Sequence, residues 1–139
     1  MATTTAAVTL TSDLLSDSMS VSASTTCMKA GTTADGLDMM DYGYIDIATG
    51  DEYDLLDSNN SGLNTAKANK VYIANHSTDE TFYVVVAIDG VIGRLYAGDW
   101  MFIPWGCVDQ HDDIEITANG GTNTICYALF HEGRTLTAS

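Results

Sequence analysis

Residues 88–106 read IDGVIGRLYAGDWMFIPWG, and this stretch decides the fold class. It holds both tryptophans, Trp100 and Trp105, the single proline, Pro104, and the glycines Gly90, Gly93, Gly98 and Gly106. Asp89-Gly90 signals a tight turn and residues 91–96 a short strand. Ala97-Gly98-Asp99 signals a second turn, and residues 100–105 a bulky strand. Turns this close together between apolar runs predict antiparallel hairpins and argue against helices.

Working outward, residues 81–88 (TFYVVVAI) form a strand with two apolar faces, Phe82, Val84, Val86 and Ile88 on one and Tyr83, Val85 and Ala87 on the other. Residues 100–105 repeat the pattern, with Trp100 and Phe102 opposite Met101, Ile103 and Trp105. A strand apolar on both faces must be covered on both, so the stretch is expected to be buried twice. In a two-sheet sandwich only one face is internal, and the second needs the N-terminal segment, a loop or another subunit.

Further out, residues 70–75 (KVYIAN) and 124–130 (TICYALF) read as apolar strands. Residues 42–47 place Tyr42 and Tyr44 opposite Ile45 and Ile47, and residues 53–56 make a short continuation. Residues 114–118 turn Ile114 and Ile116 inward and Glu115 and Thr117 outward, and Asn119-Gly120-Gly121 supplies a hairpin turn. Residues 30–41, 57–62 and 109–113 read as loops, and the tail 131–139 has no assignable pattern. In the N-terminal thirty residues Val8 and Leu10 alternate with threonines, and Met19, Val21 and Ala23 with serines, the period of half-buried strands. Residues 12–17 between them fit a capped helical turn or an irregular bend. With so little apolar bulk, this segment reads as an arm ordered by what it lies on. The expectation is an all-β antiparallel sandwich or jelly roll of about seven to nine strands at residues 31–139, with an extended N-terminal arm at residues 1–30.

A chain of 139 residues suits one domain. Its 19 acidic and 5 basic residues give a formal net charge of -14, which opposes binding to nucleic acid or to anionic membranes. No apolar run approaches the length of a membrane-spanning helix, and residues 1–18 lack the basic and apolar regions of a signal peptide, so folding in a cytosol is expected. Cys27, Cys107 and Cys126 form no CxxC pair and read as reduced structural residues. Asn59-Asn60-Ser61 and Asn75-His76-Ser77 fit the glycosylation pattern by chance.

Chemistry is hard to place on this chain. Gly98, Pro104 and Gly106 match half of the second cupin motif, but Asp109 stands where that family places a histidine ligand, and no His-x-His precedes it. Asp109, His111, Asp112 and Asp113 could hold calcium, yet they lack the spacing and glycine of an EF-hand; Asp51-Glu52-Tyr53-Asp54 is weaker still. No nucleophile elbow is present, and His76, His111 and His131 lie beside turns or chain ends. No catalytic, metal or cofactor residue is assigned, and no enzymatic activity is expected. Arg94, inside the opening stretch, suits a carboxylate across the hairpin or at a subunit contact.

Four segments carry a resemblance: residues 10–31 (LTSDLLSDSMSVSASTTCMKAG), 70–77 (KVYIANHS), 92–105 (IGRLYAGDWMFIPW) and 127–130 (YALF). In this order they resemble small virion structural proteins of tailed bacteriophages of marine bacteria and cyanobacteria. The resemblance implies a β-sandwich or jelly-roll building block, a capsid decoration (cement) protein on the outer capsid surface, assembled in the host cytoplasm. Its partners would be the major capsid protein and further copies of itself, as a homotrimer. The residues assigned to subunit or capsid contact are Leu10, Leu14, Leu15, Met19, Val21, Tyr83, Val85, Arg94, Trp100 and Trp105. The alternatives are a tail, neck or fibre component, and a carbohydrate-binding or metal-dependent jelly-roll module using Trp100, Trp105, Asp109 and His111.

Overall fold

The computed structural model describes residues 4–14, 19–32, 35–37, 39–57, 68–106 and 112–132. These form ten strands: β1 (Thr5–Ser12), β2 (Met19–Thr26), β3 (Met39–Ala48), β4 (Glu52–Leu56), β5 (Asn69–Asn75), β6 (Tyr83–Ala87), β7 (Val91–Tyr96), β8 (Trp100–Pro104), β9 (Ile114–Ala118) and β10 (Thr122–His131). No α-helix occurs among the described residues. β1 and β2 form a sheet of their own, while the other eight make two four-stranded sheets in the orders β3-β10-β5-β8 and β4-β9-β6-β7. Every ladder is antiparallel.

The fold is an all-β sandwich, and its pairing is nested. β3 lies beside β10, β4 beside β9, β5 beside β8 and β6 beside β7, as in one long antiparallel ribbon rolled into two layers. Strand alternation sends one set of side chains between the layers. Ile47, Val71, Ile73, Ile125 and Leu129 come from the first sheet, and Leu55, Val84, Val86, Leu95, Ile114 and Ile116 from the second; together with Trp105 they form one core cluster. Burying side chains of this size stabilises the fold by about 1.5–3 kcal/mol each.

Residues 88–106 behave differently from expectation. Asp89 takes a left-handed φ of 50°, and β6 and β7 pair as a hairpin across it. β7 and β8, however, belong to different sheets, so Ala97-Gly98-Asp99 is a crossover between layers. Gly98 supplies the φ of +87° that this corner requires. The Tyr96 N–H donates to Asp99 Oδ2 at 2.9 Å, and Gly98 N–H donates to the Asn75 carbonyl at 2.8 Å. The stretch is not buried twice: β7 is an edge strand with Val91 73% exposed.

The N-terminal segment is a folded hairpin, because apolar and hydroxyl residues alternate in step on both strands. In the register, Val8 faces Ala23 and Leu10 faces Val21, while Thr9 faces Ser22. The apolar side chains therefore share one face. The base of the hairpin is fixed: Cys27 N–H donates to the Thr4 carbonyl at 2.7 Å and Leu37 N–H to the Cys27 carbonyl at 2.9 Å, with Cys27 and Leu37 both buried. The buried Glu132 carboxylate accepts the N–H groups of Ala30 and Ala68 through Oε2, so this loop is stitched to the end of β10.

Several expected loops and ends shift. Met39–Asp41 belongs to β3, and His131 is the last residue of β10, with its Nε2 3.0 Å from Asp41 Oδ2. The capped turn at residues 15–17, the loop at 58–62, the cation loop at 109–111 and the tail from 133 lie outside the described residues.

Candidate functional site

The outer face of the sheet β3-β10-β5-β8 is apolar from edge to edge. Its pairing register lays out three rows: Tyr44, Cys126, Ala74 and Trp100; Tyr42, Ala128, Tyr72 and Phe102; Met40, Phe130, Lys70 and Pro104. Only Lys70 among these twelve carries a charge. Aromatic rings meet across the rows, Tyr72 with Trp100 at 6.3 Å and Phe102 with Phe130 at 6.4 Å. At the far edge Tyr42 meets Tyr44 at 5.8 Å, and Tyr44 meets His76 at 5.7 Å. The Tyr44 hydroxyl is held above the ordinary phenol value, first by its hydrogen bond with the Cys126 thiol.

The hairpin lies against part of this face. Thr4 to Val8 line, with Tyr72, Trp100, Phe102 and Phe130, an open cleft of about 310 Å³. Further along, Leu10 lines a second cleft with Arg94, Gly98, Asp99 and Trp100. Coverage is incomplete on both sides. Leu10 remains 54% and Trp100 51% exposed, and Met40, Tyr42 and Tyr44 on the β3 edge are exposed as well. Solvated apolar surface of this extent, on elements built to lie on something, is the usual mark of an association face.

Of the assigned contact residues, Leu10, Leu14, Val21 and Trp100 are exposed, with Leu14 at 90%. Leu15 lies outside the described residues, and Met19 is placed in β2 by its backbone. Trp105 is corrected. It is 3% exposed, belongs to the core cluster and donates its indole N–H to the Asp112 carbonyl at 2.6 Å. Strand alternation explains this, since Trp105 shares the face of Met101 and Ile103.

Tyr83, Val85 and Arg94 lie together on the outer face of the other sheet. Val85 pairs with Arg94 and Tyr83 with Tyr96, and the guanidinium carbon sits 4.5 Å above the Tyr83 ring centroid. Arg94 thus covers part of the second apolar face of β6 by a cation–π contact. At the opposite edge the face is acidic: Glu52 and Asp54 of β4 stand beside Thr117 and Glu115 of β9. The Glu115 carboxyl is pushed above the ordinary Glu value, first by desolvation and then by the charges of Glu52 and Asp54.

The sequence marked Asn75 only by a glycosylation pattern and Asn123 not at all; both are buried, at the end of β5 and at the start of β10. Asn75 Nδ2–H donates to the Leu95 carbonyl at 2.9 Å, crossing from one sheet to the other, and Asn75 Oδ1 accepts from Ser77 N–H at 2.9 Å. Asn123 Nδ2–H donates to the Gly120 carbonyl at 3.0 Å. Asn75 is therefore a structural tie and is inaccessible to glycosylation. Cys27 and Cys126 are buried and free, while Cys107, Asp109 and His111 lie outside the described residues. Among the described residues no cluster of His, Cys, Asp or Glu could hold a metal, and no helix is long and apolar enough to cross a membrane. Compared with known protein families, curated proteins and solved structures, the chain matches none.

Proposed function

We propose that the chain is a virion structural protein of a tailed bacteriophage, a non-enzymatic decoration protein that binds the outer capsid surface as a homotrimer and stabilises the shell. The observation that carries this reading is the β1–β2 hairpin, apolar on one face, which lies against part of an outer sheet that is itself apolar from Met40 to Trp100. A monomer leaves both surfaces wet. Burying them against sister copies or the shell gains about 25 cal/mol per Å² of apolar area. The nested pairing supports a jelly-roll reading, an architecture that viral coat domains use, and the phage resemblance of residues 10–31, 70–77, 92–105 and 127–130 points the same way.

The test is location. Antibody-gold labelling of intact particles should mark the capsid surface, whereas label confined to the tail would replace the decoration role with that of a tail, neck or fibre component. Removing residues 2–24 should abolish attachment to capsids while leaving the sandwich folded. Unchanged attachment would remove the hairpin from the mechanism. Trp100, half exposed beside Tyr72, gives the carbohydrate-binding alternative its one foothold, and a Trp100→Ala variant that loses a glycan-array signal present in the parent would establish it.

A further inference from the structure

The sheet β4-β9-β6-β7 is charged in opposite senses at its two edges. One row of its outer face runs Arg94, Val85, Thr117, Glu52, and the next places Val91, Ala87, Glu115 and Asp54 side by side. Arg94 is the sole Lys or Arg in these four strands, and Glu52, Asp54 and Glu115 are their sole outward carboxylates along β4 and β9. Three strand spacings separate Arg94 from Glu52, roughly 14 Å between backbones, and no carboxylate within ion-pair distance of Arg94 is found among the described residues. Each edge also exposes apolar surface, Val91, Ile92 and Tyr96 on β7 and Tyr53 on β4, with the unpaired backbone groups of an edge strand.

Two copies carrying a net charge of -14 each repel over most of their surfaces. They approach most easily where opposite signs face each other. We propose that copies of this chain associate head to tail, the β7 edge of one against the β4 edge of the next, with Arg94 received by Glu52, Asp54 and Glu115. The two edges are different surfaces, so the contact is heterologous and closes into a ring when the rotation allows, as a trimer requires. The crowding that raises the Glu115 carboxyl is relieved by an arriving guanidinium. This interface rests on the self-association part of the proposed function and is independent of what the ring binds.

Light-scattering mass and sedimentation of the full chain test it, with circular dichroism and the thermal midpoint reporting that each variant is folded. Arg94→Glu should weaken self-association at least about tenfold, and Glu52→Arg should do the same from the other edge. The charge-exchanged double variant R94E/E52R should regain the parent mass. A folded Arg94→Glu that keeps the parent mass overturns the interface and leaves oligomerisation standing, as does a double variant that stays dissociated. A parent chain that sediments as a monomer overturns the interface and the trimer together, while the shell-binding role is judged separately by particle labelling.

Discussion

Asn75 shows how much one buried polar side chain can hold. Its amide has access to nothing but protein, and it links the Leu95 carbonyl on β7 to the Ser77 N–H beyond β5. An unsatisfied buried group costs about 1–3 kcal/mol, so Asn75→Ala should lower the unfolding free energy by about 2–4 kcal/mol in urea titration. An Asn75→Ala variant as stable as the parent would show that the two sheets are held by apolar packing alone. Gly121 is a second sensitive point: with φ +56°, it lies against the Phe82 ring, which leaves no room for a Cβ. The glycosylation-like pattern at Asn75 and the glycines of the hairpin turn are visible in the sequence. Their buried roles are not, because they depend on a neighbour 20 or more residues away.

At the scale of the elements, apolar runs, alternation and turn residues together located the eight sandwich strands, and residues 114–118 agree with β9 end to end. Alternation also put Tyr42 and Tyr44 on the face opposite Ile47, and the structure makes theirs the exposed one. It could not say which strands pair. The turn at Gly98 has the composition of a hairpin, yet it joins β7 and β8 in different layers, and only the register of distant β5 and β6 determines that. For the same reason Trp105 read as an interface residue: two tryptophans five apart fall on opposite faces, and local sequence does not label which face is the core. The acidic edge carries a pH signature. Glu115 binds its proton more tightly in the folded chain than in the unfolded one, so its ionisation opposes folding. That penalty is complete above the raised folded value and fades as pH falls through it toward the ordinary Glu value. Asp79 is opposite in sign: hydrogen bonds from Thr81 hold its carboxyl below the ordinary Asp value, giving stability that is present above that ordinary value and lost as pH falls through the lowered one. Glu115→Gln should therefore raise the thermal midpoint at neutral pH and leave it unchanged in acid. Asp79→Asn should lower it at neutral pH.

For the whole molecule, the consequence lies in the nested pairing. β10 is the last described strand and an interior one, bonded to β3 on one side and β5 on the other. The first sheet therefore has no stable precursor until the final ladder arrives, and a chain truncated before Thr122 should show no cooperative unfolding transition. Pairing the first sandwich strand with the last makes the contacts distant in sequence, which places folding in the millisecond-to-second range. On the ribosome, the inward faces of β3 and β5 wait for β10 to clear the exit tunnel, exposed to every neighbouring nascent chain. The β1–β2 hairpin, by contrast, is local and complete within its first thirty residues, and hairpins of this kind close in about 1–10 μs. Each newly made copy thus has its first hairpin closed before its sandwich can form, and the order of synthesis leaves the closing strand as the step that completes the fold.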